Sequence, residues 1–200
     1  MSEQNTLEAF LAAARLGFGI ELDIRDFFGQ VVVAHDFATA PSLDLQESLS
    51  ALKKCRFSGV LALNVKADGL SSLINKEALH LNAIPHFFFD MSVPETVRFD
   101  NLGLARAHRV SDLEPIWPAS HWRILGEQLV VWLDSFSSDW WLDSAWENLI
   151  PEGSNTFIVS PELHGRDPSK VWERVRDLHQ EGRTVGICTD HPVDFLAFMG

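Results

Sequence analysis

Two carboxylates separated by a single residue, Glu21 and Asp23, form the sharpest group of chemically active side chains in this sequence. They lie in an apolar segment whose pattern predicts a β-strand over Ile20–Arg25. Side chains i and i+2 of a strand share a face, so both acids should project into the same space. A divalent cation would relieve their repulsion, and carboxylate oxygens favour Mg²⁺ or Ca²⁺. Two solvated acids on an exposed strand, or acids paired with Arg25, would give the same pattern.

Three further polar residues follow or end the next predicted strands. His35 comes after a strand predicted over Gln30–Ala34, and an imidazole there could act as a general acid or base. Asn64 and Lys66 repeat the i, i+2 spacing at the end of a strand predicted over Val60–Val65. The amide oxygen could bind a metal, and the ammonium could neutralise a phosphate. A loop histidine and a strand-end lysine that reaches water are the alternatives.

Three residues in the second half of the chain are candidates for contacts with a substrate. Trp132 lies next to Leu133 on the strand predicted over Leu129–Leu133 and could form a pocket wall, although a tryptophan is more often a core residue. Glu162 follows another predicted strand. His164 lies just past it and could supply acid or base capacity to the same site. A histidine that bonds locally within its loop is the alternative reading.

The elements that must position these residues alternate between short apolar strands and helices with a 3.6-residue period, which is typical of parallel β-α units. Gly29 lies between the first two strands and suggests that they form a hairpin. Asn5 with Glu8 predicts a capping box for the first helix. Because polar residues end nearly every strand, the pattern favours a (β/α) barrel with its site at the carboxyl ends of the strands. The predicted strands are Ile20–Arg25, Gln30–Ala34, Val60–Val65, His86–Phe89, Leu104–Ala107, Leu129–Leu133, Thr156–Val159 and Thr184–Cys188.

The length and net charge of the chain limit the classes of protein to which it can belong. A chain of 200 residues fits one domain, which we expect to span residues 1–200. The net charge of −12 argues against nucleic-acid binding, which needs a positive surface. Two cysteines make no disulfide framework, the first residues lack a basic leader, and no apolar run approaches the roughly 20 residues of a membrane span. We therefore expect a cytoplasmic protein without a membrane span.

Five segments, in this order, resemble glycerophosphodiester phosphodiesterases, a family of (β/α)₈ barrels. Asn5–Phe10 is similar to the family's first helix, and Gly19–Ile24 with Val31–Asp36 is similar to its first acidic strand and the hairpin after it. Leu61–Lys66 lies at the place of the family's Glu-x-Lys strand, and Thr189–Pro192 is similar to its closing Thr-Asp-x-Pro. The resemblance covers most of the chain. A further segment, Val159–Asp167, is similar to a subgroup of the family only.

The resemblance implies a reaction and roles for individual residues. Glu21 and Asp23 would bind a divalent cation, Mg²⁺ or Ca²⁺, His35 would be a general acid or base, and Lys66 would contact the phosphoryl group. The substrate would be a small-molecule phosphodiester of the glycerophosphodiester type. Its hydrolysis would yield an alcohol and a phosphomonoester, an activity of lipid metabolism.

Two departures from the family pattern lead to further expectations. The family's opening His-Arg-Gly strand has no counterpart before Asn5, which predicts an incomplete TIM-type barrel of about seven parallel strands plus a short hairpin. A longer start upstream would supply the missing strand; otherwise a helix, a partner chain such as a second copy, or a distortion of the barrel would fill the gap. Asn64 occupies the place of a metal-binding glutamate, and an amide there would still offer oxygen with one negative charge fewer.

Two other functions remain open at this stage. A catalytically inactive barrel could bind a phosphorylated ligand or a protein partner. A sugar hydrolase could use Glu21 and Asp23 as its acid pair, but two acids on one strand do not straddle a scissile bond.

Overall fold

The computed structural model describes residues 5–40, 42–114 and 129–200, apart from the side chains at 77–80 and 147. These residues fall into two compact units, Met1–Arg106 and Ala107–Gly200. We describe each unit separately. The expected single domain over 1–200 stays a prediction.

The first unit is a five-stranded sheet in the order β3-β2-β1-β4-β5. β1 pairs parallel with β4 and β4 with β5, whereas β2 returns antiparallel to β1 and carries the two-residue β3. The predicted hairpin is therefore confirmed, and Phe28 and Gly29 make its turn at positive φ. The elements are α1 (Leu7–Arg15), β1 (Ile20–Phe27), β2 (Gln30–Val33), β3 (Leu43–Asp44), α2 (Leu45–Lys54), β4 (Leu61–Val65), α3 (Ser71–Leu81), β5 (His86–Phe89) and α4 (Val93–Leu102).

One face of this sheet forms the core of the first unit. Leu22 and Ile24 of β1, with alternate residues of β4 and Phe88 of β5, pack against apolar side chains of the four helices. Burying each such side chain contributes about 1.5–3 kcal/mol, so this face holds the helices on the sheet. The residues in between, which include Glu21 and Asp23, are therefore directed to the opposite face.

The second unit is a parallel sheet in the order β6-β7-β8-β9. Val131 and Leu133 of β7 and Ile158 of β8 pack with Val171 and Val175 of α6 in its core. The elements are β6 (Ala107–Val110), β7 (Val130–Leu133), α5 (Trp146–Leu149), β8 (Asn155–Val159), a 3₁₀ helix (Pro161–His164), α6 (Ser169–Gln180), β9 (Val185–Cys188) and α7 (Pro192–Met199).

The described ranges contain three mutually parallel strands in the first unit and four in the second. These seven parallel strands and the hairpin strand β2 match the prediction of about seven parallel strands plus a short hairpin. In the first unit, residues 20–23 of β1 pair with β4 on one side and with no described strand on the other. None of the helices in the described ranges has the length and hydropathy that a membrane crossing requires.

Two sequence predictions are corrected by the structure. The strand predicted over Leu104–Ala107 is displaced to Ala107–Val110, because the residues before Ala107 pair with β5 only through an isolated bridge between Phe88 and Arg106. The guanidinium of Arg106 forms a buried ion pair with Asp100 (Nε–Oδ1 2.6 Å). The cap of α1 is Thr6, whose hydroxyl accepts a hydrogen bond from the amide of Ala9.

Helices α4, α5 and α7 have no counterpart in the sequence prediction. α4 nevertheless carries ordinary local signals, with Ser92 as its cap, Pro94 in its first turn and Gly103 at its end with φ 67°.

Candidate active site on the first sheet

The two acids of β1 lie on the sheet face opposite the core, as their spacing predicts. Leu22 and Ile24 are fully buried among the helices, so Glu21, Asp23 and Arg25 occupy the alternate face. Asp23 is nevertheless almost inaccessible to solvent, and Glu21 is largely buried. The reading of these acids as solvated side chains on an exposed strand is therefore excluded for Asp23.

The parallel pairing of β1 with β4 brings Asn64 and Lys66 to these acids. Asp23 lies opposite Asn64 in the register, and the amide of Lys66 donates to the carbonyl of Ile24. The Lys66 Nζ is 3.2 Å from Asp23 Oδ1, with 23% and 8% of the two side chains exposed. Four residues from two strands thus form one cluster, which we call the β1–β4 cluster (Glu21, Asp23, Asn64 and Lys66).

Glu21 is the electrostatically least satisfied member of this cluster. Burial raises its pKa to about 8, and the charge of Asp23 and, to a smaller extent, that of Asp90 act in the same direction. The charge of Lys66 and a hydrogen bond donated by the Asn64 amide lower the pKa of Glu21 but do not offset burial. A positive charge placed beside Glu21 would restore its ionised form.

Asn64 offers a second indication that the cluster could bind a cation. Its side chain is 7% exposed, and its Oδ1 is buried without a hydrogen-bond partner among the described residues. Leaving a buried acceptor unpaired costs about 1–3 kcal/mol. No group of three or more His, Cys, Asp or Glu side chains in the described ranges is arranged to hold a metal. The donor set in the β1–β4 cluster is two carboxylates and one amide oxygen, the oxygen-only chemistry of a hard cation.

His35 and Arg25 lie near the cluster along the chain but contact other groups. Ala34 donates its amide to the carbonyl of Asp23, which places His35 just beyond the end of the β1–β2 pairing. The imidazole is 68% exposed, and its Nδ1 is 3.1 Å from Asp36 Oδ1. Arg25 donates its Nε to the carbonyl of His35 (3.0 Å) and lies over the ring of Phe37. A catalytic role for His35 and substrate binding by Arg25 stay predictions.

In the second unit, the Trp132 side chain is buried and the Glu162 carboxylate is hydrogen-bonded to neighbouring side chains. Trp132 is buried on the face of β7 opposite Val131 and Leu133. Glu162 accepts hydrogen bonds from the hydroxyls of Ser160 and Thr189, which join the ends of β8 and β9. Their roles in substrate binding stay predictions.

His164 belongs to a dyad that the sequence did not pair. Its Nε2 is 2.8 Å from Oδ1 of Asp134, which also accepts the amide of Ser135 at 2.7 Å. The ring of Phe136 packs at 5.1 Å from the imidazole. The contact with Asp134 fixes one ring nitrogen of this partly exposed histidine, and a role of His164 in substrate binding or proton transfer stays a prediction.

Asn5 is the residue of the first site that sequence reasoning missed. Its amide donates Nδ2–H to Asp23 Oδ2 (2.9 Å) and accepts the Asp23 backbone N–H through Oδ1 (3.3 Å). The capping-box pattern assigned Asn5 to the helix, and no spacing rule connects residues 18 positions apart. For Asp134, the only signal in the sequence was its position at a strand end.

No family model matches the sequence, and no curated protein matches it. Among solved structures, the chain is similar to an Oleispira antarctica phosphodiesterase in complex with the product sn-glycerol-3-phosphate. The two share 14% identity with a TM-score of 0.66, over 96% of this chain and 90% of that one. It is also similar to a glycerophosphodiester phosphodiesterase from Agrobacterium tumefaciens str. C58, with 14% identity and a TM-score of 0.65 over 100% and 94% of the two chains.

Identity at this level shows the fold, and the fold agrees with the resemblance found in the sequence. The chain has the α/β, TIM-type fold of glycerophosphodiester phosphodiesterases.

Proposed function

We propose that this protein hydrolyses a phosphodiester of the glycerophosphodiester type to an alcohol and a phosphomonoester with the help of a divalent cation. The observation that carries the proposal is the β1–β4 cluster, in which two largely buried acids and an unpartnered amide oxygen adjoin a lysine. The fold shared with two phosphodiesterases supports it, as does the phosphomonoester product that one of them binds.

The donors of the cluster fit a hard cation. Glu21, Asp23 and Asn64 Oδ1 would hold Mg²⁺ or Ca²⁺, since all three offer oxygen and two carry negative charge. When bound, such an ion polarises phosphoryl oxygens and offsets the charge that develops on them. The amide at position 64 contributes no charge, so we expect weaker affinity than a third carboxylate would give.

The other residues have proposed roles in binding and proton transfer. Lys66 would place its ammonium against a phosphoryl oxygen, and its ion pair with Asp23 already fixes its position. Hydrolysis also needs a group to take a proton from the attacking water and a group to protonate the departing alkoxide. His35 is our proposed acid or base, and Arg25, Trp132, Glu162 and His164 are proposed substrate contacts.

Turnover of a panel of glycerophosphodiesters that differ in their alcohol tests the proposal. The released phosphomonoester is measured in EDTA and then with Mg²⁺ or Ca²⁺. We expect cation-dependent turnover that falls at least 100-fold in Glu21→Gln and Asp23→Asn and is unchanged in Asp26→Asn. Asp26 lies on the same strand with its side chain exposed, which makes it a matched control. Absence of cation-dependent turnover, or full activity in both site variants, would contradict the proposal.

A catalytically inactive protein that binds a phosphorylated ligand or a protein partner is the second candidate. The observation that favours it is the exposed His35 imidazole, whose one hydrogen bond within the described residues is with Asp36. Binding of sn-glycerol 3-phosphate in EDTA, unchanged in Asp23→Ala and without turnover, would support this candidate.

We also propose a cytoplasmic location, a role in lipid metabolism and a single domain over residues 1–200. A second copy of the chain could cover the unpaired side of residues 20–23, and the native mass in solution tests this.

A further inference from the structure

The side-chain amide of Asn5 forms two hydrogen bonds with Asp23. One hydrogen bond reaches the carboxylate (Nδ2 to Oδ2, 2.9 Å), and the other comes from the Asp23 backbone (N to Oδ1, 3.3 Å). With Oδ1 of the same carboxylate 3.2 Å from Lys66 Nζ, each Asp23 oxygen has its own partner. The side chain of Asp23 is thereby fixed by contacts with two other segments.

Strand geometry explains why the backbone N–H of Asp23 is available to Asn5. The N–H of Ile20 points toward β4 and donates to the carbonyl of Val60, the residue just before that strand. Successive N–H groups of a strand point to opposite edges, so the N–H of Asp23 points away from β4. No described strand pairs with residues 20–23 on that side, and Asn5 takes the place of a strand neighbour there.

The backbone at Asn5 restricts which residues could do this. Asn5 has φ 58°, a left-handed conformation that asparagine and glycine tolerate and most other residues do not. The next residue, Thr6, is the N-cap of α1, so the Asn5 side chain is not needed to cap the helix. Its conformation and its amide both serve the contact with Asp23.

We propose that Asn5 is a positioning residue that holds the Asp23 carboxylate in the orientation needed to bind the cation, an inference that rests on the proposed function. A carboxylate held by a hydrogen-bond donor loses less freedom when it binds a metal, and removing such a partner typically weakens metal affinity 10- to 100-fold. Asn5 touches neither cation nor substrate and acts through Asp23.

Asn5→Gly is the informative variant, because glycine keeps the left-handed backbone without strain while the amide is lost. Thr6→Ala is the matched control, since it removes a contact at the start of the same helix and leaves Asp23 untouched. Calorimetric titration with Ca²⁺ and with Mg²⁺ alone should show 10- to 100-fold weaker affinity in Asn5→Gly than in the wild type. The affinity of Thr6→Ala should stay within twofold of the wild-type value.

Hydrogen exchange in EDTA gives a readout that needs neither cation nor substrate. Loss of the Asn5 acceptor should speed exchange at the Asp23 amide at least tenfold in Asn5→Gly, while Thr6→Ala should affect the Ala9 amide instead. Equal cation affinities in the two variants, or unchanged exchange at Asp23, would overturn the inference.

The two proposals can fail separately. A wild-type chain that binds the cation but hydrolyses no phosphodiester would remove the proposed function and leave the role of Asn5 measurable by affinity. A wild-type chain that binds no cation would overturn both.

Discussion

Replacing Glu21 by glutamine should remove the pH dependence that this residue gives to the stability of the cation-free protein. The pKa of Glu21 rises from 4.5 to about 8 on folding, chiefly because the side chain is buried and secondly because Asp23 is nearby. Between these two pH values the folded state holds a proton that the unfolded state has released. The free energy of unfolding therefore falls as the pH rises through this window.

The size of the effect follows from the width of the window. From pH 4.5 to about 8 the difference is about 3.5 pH units, and each unit corresponds to about 1.4 kcal/mol. Glu21 can thus remove at most about 5 kcal/mol from wild-type stability above pH 8, relative to pH 4. Glutamine has the shape of the protonated acid and no charge, so Glu21→Gln should gain on the wild type as the pH rises. Their difference should level off above pH 8.

Urea unfolding in EDTA at pH 4, 5, 6, 7, 8 and 9 measures this difference. Asp26→Asn removes an exposed carboxylate from the same strand and controls for the change in net charge. We expect the stability of Glu21→Gln relative to the wild type to rise by well over 1.5 kcal/mol between pH 5 and pH 8, and that of Asp26→Asn by less than about 0.5 kcal/mol. Parallel curves for Glu21→Gln and the wild type would refute the claim that Glu21 is buried beside a second acid.

Repeating the same unfolding measurements with Ca²⁺ or Mg²⁺ shows whether Glu21 is a cation ligand or a buried acid with a structural role only. A cation that binds only the folded state stabilises it by about 2.7 kcal/mol at 100 times its dissociation constant. At pH 8 the wild type should recover stability in this way, because the bound cation favours ionised Glu21. Glu21→Gln should recover much less. Equal gains in the two proteins would show that the cation binds elsewhere.

Two further predictions concern side chains that hold each unit together. Glu95 is fully buried and accepts hydrogen bonds from the Ser71 amide (2.8 Å) and from Arg98 (3.0 Å), so Glu95→Ala should lower the free energy of unfolding by about 2–4 kcal/mol in urea titrations. Arg98→Ala should cost less than about 1 kcal/mol, since its guanidinium is mostly exposed. For Asp112, burial acts to raise the pKa, but hydrogen bonds from Ser137 and nearby backbone amides outweigh it and lower the pKa to about 2. Ionised Asp112 therefore contributes about 1 kcal/mol to the free energy of unfolding after solvent screening, and this contribution is present above pH 4 and lost as the pH falls toward 2. Urea unfolding between pH 2 and 5 should show the loss in the wild type and not in Asp112→Asn.

The parts of the site that the sequence predicted depend on the period of a strand and on the pairing of neighbouring parallel strands. The period of two placed Glu21 and Asp23 on one face because Leu22 between them is drawn into the core. Asn64 and Lys66 joined them because a parallel pair of strands aligns its carboxyl ends. The number of parallel strands was predictable for the same local reason, since strands buried on both faces are nearly continuous apolar runs.

The parts that were missed depend on contacts between residues distant in the chain. Asn5 matched a capping pattern, but 18 residues separate it from the carboxylate it binds. His164 and Asp134 are 30 positions apart, and only the packed second unit makes them a dyad. The strand predicted over Leu104–Ala107 lies three residues later as β6, and the buried ion pair of Arg106 with Asp100 just before it is a contact that apolar periodicity does not record.

The β1–β4 cluster concentrates features that each lower stability. Glu21 is largely buried next to a second acid, and Asn64 keeps an acceptor unpaired. The other face of β1, with Leu22 and Ile24, shows how the same strand is stabilised by apolar packing alone. Local choices that conflict with stability are expected at a ligand-binding site, and a bound cation would relieve both of these conflicts. A purely structural role for this face would give no reason for them to occur together.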